Sequence, residues 1–220
     1  HFCTVLRKYL RDKRIISIKQ HDLDRVVIIE VGDENESYKL VAEMFGSGNL
    51  LLLDPNDTIF VALHYKKMRD RDIVPKAKFE FPPLRGEDLF SINADTLEAL
   101  ISESSANIVR TLASRLNLDS LSCEEICALS PISPKIMTPD IDSQTLSDLK
   151  KGFSEFTERL RGGISDPNVV LDDEPSEDDE DSNYIAFLPF HFELYKDLPT
   201  QTFKRFSQAI DEFFGVSESE

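Results

Sequence analysis

Asp24-Arg25-Val26-Val27-Ile28-Ile29-Glu30-Val31, then Gly32-Asp33-Glu34-Asn35, then Tyr38-Lys39-Leu40-Val41-Ala42-Glu43-Met44 is the stretch that decides the fold class. Two runs rich in β-branched and apolar residues flank a turn composition too short to hold a helix. Such short connections join antiparallel neighbours. Downstream, Phe45-Gly46-Ser47-Gly48 and Asp54-Pro55-Asn56-Asp57 bracket two further strands, predicted over 49–53 and 58–64. Glycine supplies positive φ and proline pre-sets a turn, so both tetrapeptides read as hairpin connections. Upstream, 14–19 reads as another strand, and the whole predicts an antiparallel β-meander. The Gly46-Ser47-Gly48 loop lacks the Gly-Lys-Ser/Thr ending of a phosphate-binding loop and leads into a strand, so it is a turn.

At the start of the chain, Phe2, Val5, Leu6, Tyr9 and Leu10 recur at helical spacing, with Arg7, Lys8 and Arg11 on the other faces. The chain opens at His1 inside this periodic stretch, which reads as a fragment lacking its true N-terminus. Residues 79–83 are extended, because Pro82-Pro83 disfavours helix. Beyond Gly86 the periodicity turns helical over 97–101 and 108–116. Ser122 followed by Glu125 reads as a capping box opening a helix over 123–129. A longer helix is predicted from 143 to 160, with Gly162-Gly163 as its stop. Residues 172–181 are almost wholly acidic and read as a mobile loop. The aromatic-rich stretch 184–195 is strand-like and is expected to rejoin the β-domain, leaving the helices as an insertion. A final amphipathic helix spans 202–214.

The formal net charge is −16, but it is unevenly placed. Residues 1–85 hold 15 Lys and Arg against 13 Asp and Glu, whereas the rest of the chain holds 10 against 28. Two basic clusters stand in the first part. One is Arg7, Lys8, Arg11, Lys13 and Arg14, and the other is Lys66, Lys67, Arg69 and Arg71, extended by Lys76 and Lys78. Concentrated cations release condensed counterions on meeting phosphates, so these clusters point to nucleic acid; the bland alternative is a solubilising surface. Asp24-Arg25 at a strand entrance is either a surface pair or a guanidinium fork oriented by its neighbour. Cys123 and Cys127, four apart on a helix, have no further ligand nearby and read as small buried hydrophobes. His1, His21, His64 and His191 have no metal-ligand spacing, and no nucleophile elbow is present. No apolar run approaches the ~20 residues that span a bilayer. No metal, cofactor, catalytic site or membrane is therefore expected.

Several segments together resemble a known family. Phe2-Cys3-x-x-Leu6-Arg7-Lys8-x-Leu10, Arg14-Ile15 and Gln20-x-x-x-Asp24-Arg25-Val26-Val27 are similar to the NFACT-N domain of the NEMF and fibronectin-binding-protein-A-like ribosome quality-control proteins. So are Glu43-Met44-x-Gly46-x-x-Asn49-Leu50-x-Leu52-x-Asp54 and Arg71-x-Ile73-x-Pro75 followed by Phe79-x-x-Pro82-Pro83. Asn117-Leu118 through Glu124-Glu125-Ile126-Cys127 resembles the family's helix-hairpin-helix-like middle, and 203–214 the segment leading to its coiled coil.

The resemblance implies an archaeal-type member with an α+β fold. Its antiparallel β-rich domain would be like the N-domain of formamidopyrimidine-DNA glycosylases, with an inserted helix-hairpin-helix-like domain. The divisions expected are 1–87 (completed by 183–200), 88–165, an acidic loop 166–182, and 201–220. It further implies a cytoplasmic protein that binds the large ribosomal subunit carrying obstructed peptidyl-tRNA. There it engages tRNA, alanyl-tRNA in many relatives, for C-terminal tailing of the stalled chain. Asp24 and Arg25 fall on the family's tRNA-engaging dipeptide, with Arg7, Lys8, Arg11, Arg14, Lys66, Lys67, Arg69 and Arg71 as supporting RNA contacts. Glu43, Gly46, Asn49 and Asp54 are the signature residues, with a structural or a binding role. Asp119-Ser120 replaces a Gly-Gly at which backbone amides would approach a phosphate, so binding is expected on the β-domain. The acidic run is a candidate dock for a basic protein. A glycosylase-like enzyme and a fibronectin-binding-like adhesion module are the alternatives.

Overall fold

The structure is a computed structural model, and it describes residues 1–33, 36–83, 86–163, 165–173 and 184–215. The fold is α+β, and the chain divides into two units, His1–Leu84 and Arg85–Glu220.

In the first unit, helix α1 (Phe2–Leu10) precedes β1 (Arg14–Gln20), β2 (Val26–Gly32), β3 (Ser37–Glu43), β4 (Asn49–Leu53) and β5 (Ile59–Ala62). These pair in sequence order, each antiparallel to the next, as the turn chemistry predicts. Strand alternation gives the sheet two apolar faces. On one, Val26, Val41, Leu51 and Leu53 pack with Ile59, Ala62 and Ile73. On the other, Tyr38, Leu52 and Val61 receive Phe2, Val5, Leu6, Tyr9 and Leu10 of α1. Gly46 and Gly48 both take positive φ (60° and 68°) in the β3–β4 turn. A second small hairpin, β6 (Lys66–Lys67) and β7 (Asp72–Ile73), follows.

The second unit holds α2 (Ala94–Ser102), α3 (Ile108–Leu116), α4 (Ser120–Leu129) and α5 (Ser143–Arg161). After them come β8 (Asn168–Leu171), β9 (Tyr184–Leu188), β10 (Thr200–Thr202) and α6 (Phe206–Gly215). Asn93, Asn107, Asp119 and Asp142 cap α2 to α5 in turn, each side chain accepting backbone N–H bonds of the first turn. Cys123 and Cys127 are buried on α4, and burial pushes both thiols up to about 12, so they act as small apolar side chains.

Two expectations are corrected here. Residues 184–188 do not rejoin the five-stranded sheet: β9 pairs with β8, in a separate sheet of order β10-β8-β9. Asn168-Val169-Val170-Leu171 supplies the nearby partner strand, within what was expected to be loop. Ala186, Leu188, Phe190 and Phe192 then join Leu112, Ile126 and Phe156 in one core. The helices are thus not an insertion into the first sheet. Second, Ser122 and Glu125 form no capping box. The N-cap is Asp119, which accepts Ser122 N–H at 2.9 Å and Ser122 Oγ–H at 2.7 Å. The acidic run 172–181 lies, from 174 onward, outside the described residues, as do 216–220.

Gly152 lets α5 pack tightly against the end of α4: an added Cβ would stand 2.2 Å from Ser130 Oγ and 3.0 Å from the Ile126 carbonyl oxygen. In an open helix Gly→Ala gains about 1 kcal/mol. Here the sign should reverse, with Gly152→Ala lowering stability in urea denaturation by about 1–3 kcal/mol, the range for overpacking.

Candidate nucleic-acid interface

The β1–β2 connection is a tight, well-anchored tip. Strand β1 ends where His21 N–H donates to Val26 O at 2.9 Å, and Asp24 N–H donates to His21 O at 3.0 Å. Asp22 takes the left-handed conformation that closes the turn (φ 45°), and Gln20 Nε2 donates to Asp24 O at 2.9 Å. Arg25 is held by its carbonyl, which accepts Met44 N–H at 2.8 Å from the neighbouring β3–β4 turn. Its side chain is exposed, and the guanidinium makes no ion pair among the described residues. Asp24 beside it is half-buried. His21 stacks on Phe81, ring centroids 3.6 Å apart and 13° from parallel. Backbone bonds fix the tip and a ring stack braces it, so Arg25 is presented from a rigid base.

The two basic clusters part company. Lys66 lies at the tip's end of the sheet, its Nζ donating to Ser47 Oγ at 2.9 Å in the same β3–β4 turn that holds Arg25. Lys67 and Arg69 are exposed on the same small hairpin. Arg14 pairs with Gly32 at the far end of β1, and Lys13 is bound to Asp33 there. Arg11 neighbours Asp12 at 3.8 Å, Lys8 lies over the Tyr9 ring at 5.2 Å, and Arg7 is exposed on α1. A seven-residue strand spans about 20 Å, so Lys13 and Arg14 do not share a surface patch with Arg25.

Arg71 leaves the cluster altogether. Its side chain is 6% exposed and Nη1 donates to Glu43 Oε1 at 2.6 Å and to the Glu80 carbonyl at 3.1 Å. The guanidinium also lies over the Phe45 ring at 6.0 Å. An arginine so committed is part of the core of the first unit, and a phosphate does not reach it.

Asn49 and Asp54 of the signature also make hydrogen bonds within the fold. Asn49 Oδ1 accepts the N–H of Leu50 and of His64, both at 3.0 Å, while Nδ2 donates to His64 O at 2.9 Å. It thereby ties the start of β4 to the chain leaving β5. Asp54 Oδ1 accepts Asn56 N–H at 2.8 Å and Thr58 N–H at 2.9 Å, closing the β4–β5 turn. Gly46 supplies a positive φ and has no heavy atom near the position of a Cβ.

Sequence reasoning missed the His21–Phe81 stack and the Glu43–Arg71 pair. The alternating Phe79-x-Phe81 before Pro82 was the available hint for the first, and no periodicity marks the second. In the second unit Asp119 engages the first turn of α4 and is itself acidic, so that turn does not offer open amides to a phosphate. No helix among the described residues is long and apolar enough to cross a membrane.

The family described as NFACT N-terminal and middle domains matches residues 1–220. Over 218 residues the chain is 31% identical to the archaeal Rqc2 homolog aRqcH of Methanocaldococcus jannaschii, covering 97% of this chain and 31% of that protein. It is 25% identical to the human ribosome quality control complex subunit NEMF, covering all of this chain and 22% of that protein. The chain thus spans a third or less of the length of these relatives. Among solved structures, the fibrinogen binding protein from Staphylococcus aureus matches 97% of this chain and 75% of its own, with a TM-score of 0.75 and 21% identity, which speaks to the fold alone. Matched from end to end by the NFACT N-terminal and middle domains, the chain belongs to the NFACT family.

Proposed function

We propose that this chain is the tRNA-engaging N-terminal part of a ribosome quality-control factor. In the cytoplasm it binds the large ribosomal subunit carrying obstructed peptidyl-tRNA and takes part in C-terminal tailing of the stalled chain, alanyl-tRNA being the expected substrate. It does so by binding, with no reaction centre of its own. The observation that carries this reading is Arg25: an exposed guanidinium without an ion pair among the described residues, on an anchored hairpin tip beside Lys66. A planar fork of donors held in that way suits phosphate or a base edge. The names of the relatives, ribosome quality control subunits and an Rqc2 homolog, supply the context.

Arg25→Ala in the full-length protein is expected to weaken tRNA binding about tenfold in a filter or fluorescence assay, the loss of one good arginine contact. The urea midpoint should stay unchanged, because the side chain is exposed and makes no hydrogen bond or ion pair among the described residues. Unaltered tRNA affinity would remove Arg25 from the interface. Strand cleavage of a lesion-containing duplex by the full-length protein would favour a glycosylase-like enzyme instead.

A further inference from the structure

We propose that the face of the five-stranded sheet next to the Arg25 tip carries a pocket for one unpaired nucleobase, with guanine preferred. This deepens, and rests on, the RNA-engaging reading above. Directly opposed residues of an antiparallel sheet share a face. The register therefore lines up Lys19, Ile28 and Val41 in one row, and Ser17, Glu30, Lys39 and Leu53 in the next. The segment carrying Phe79 and Phe81 runs over this face, tied by Phe79 N–H to Asp57 O at 2.8 Å and by Glu80 O to Arg71 at 3.1 Å. Between strands and segment lies a groove of about 400 Å³. Its floor is the half-buried Ile28, over Val41 and Leu53 of the core, and its wall is the two phenylalanines.

Polar groups at the rim are unequally committed. Lys39 is bound to Asp57 at 2.6 Å. Glu30 accepts Ser17 Oγ–H at 3.3 Å and Ser37 Oγ–H at 3.0 Å, and although Lys39 stands opposite it, the two make no ion pair among the described residues. A carboxylate offers about four lone-pair sites, so two neutral hydroxyls leave it able to accept more. Lys19 is exposed and makes no ion pair among the described residues. Phe81, 38% exposed, is braced by His21 and stands 5.0 Å from Phe79 in an edge-to-face contact. The groove thus presents aromatic and aliphatic surface for a flat ring, an acceptor able to take two donors, and a cation at its mouth. That mouth is two residues along β1 from the tip.

A nucleotide carries all three complements. Guanine alone among the common bases sets two adjacent N–H donors on its pairing edge, which match one carboxylate, and its phosphate would fall to Lys19. That edge is free only where the base is unpaired, so the occupant is single-stranded RNA.

Titrating the 220-residue chain with GMP, AMP, CMP and UMP, and with a short single-stranded RNA carrying one guanine, tests this by amide chemical shifts. The inference expects shifts at Lys19, Glu30 and Phe81, strongest for GMP and stronger still for the RNA. Glu30→Gln should weaken GMP binding about tenfold or more, as loss of one bidentate base contact does. Lys19→Ala should weaken the RNA more than the free base guanine, and both variants should keep the wild-type urea midpoint. No shift at the groove, or no preference among the bases, overturns the pocket. Saturation by a peptide in place of RNA overturns the choice of ligand, and GMP binding with no gain from RNA overturns its source. Weakened tRNA binding by Arg25→Ala together with a silent groove would sink this inference and leave the proposed function standing. A responsive groove with an indifferent Arg25→Ala would do the reverse.

Discussion

Arg71→Ala is expected to destabilise the first unit by about 3–5 kcal/mol, the range for breaking a buried ion pair by removing one partner. Glu43 and Arg71 side chains are 4% and 6% exposed, so no water replaces the lost guanidinium. The substitution strands a carboxylate in the core, frees the Glu80 carbonyl and removes the cation over Phe45. Hydrogen exchange should report the loss as faster opening of the β3 and β4 amides. The double variant Glu43→Leu/Arg71→Met restores most of the stability, because replacing both charges with apolar groups of like volume is near neutral. A single variant as stable as the wild type would show that the pair is hydrated and that Arg71 is available to RNA after all. The pair thus has a functional bearing: it fixes the tip's end of the sheet, from which Arg25 and Lys66 project.

Glu125→Ala should be the second large loss. This side chain is fully buried on α4. It reaches across the second unit to accept Glu193 N–H at 3.0 Å and Leu194 N–H at 2.9 Å, one on each carboxylate oxygen. Truncation orphans both donors at the start of the short 3-10 helix Glu193–Tyr195, at about 1–3 kcal/mol for each group left unsatisfied.

Burial raises the Glu125 carboxyl above the ordinary glutamate value, opposed by the two backbone N–H bonds and by Arg159 at 3.8 Å. The sign of the pH dependence follows. A group whose pKa is higher in the folded chain than in the unfolded one contributes stability that is fully present below the unfolded value, and this is lost as pH rises through the folded value. Glu125 therefore makes stability fall as pH climbs above the ordinary glutamate range. Glu125→Gln should flatten that slope in urea titrations at several pH values. A wild-type slope unchanged in the variant would place the proton elsewhere.

These two glutamates show where sequence reading stopped. Glu125 sits three residues after a serine, the spacing of a capping box, yet its partners are 68 and 69 positions further along the chain. Glu43 stood inside a recognisable signature, but its partner is 28 positions away, in a cluster read as surface cations. Local spacing names a residue type and a turn of helix; it carries no information on which distant backbone will arrive. The candidate site divides in the same way. Arg25 could be named from the dipeptide and its resemblance, whereas the groove beside it needed the strand register and the path of 79–81.

By itself the sequence determined the antiparallel meander of the first unit, because alternation, β-branching and Gly/Asp/Pro turns act over a few residues and leave little choice of neighbour. It also placed the α2–α5 helices through apolar periodicity, although the capping box it offered for α4 gave way to Asp119. Only the tertiary structure decided that Tyr184–Leu188 pairs with Asn168–Leu171, that Arg71 turns inward, and that the basic clusters lie at different ends of one sheet. Those outcomes depend on which buried surface a segment reaches first and on which polar group it finds there. Desolvation makes an unpaired charge or strand edge costly enough to override local preference, and it acts between residues that sequence distance does not relate.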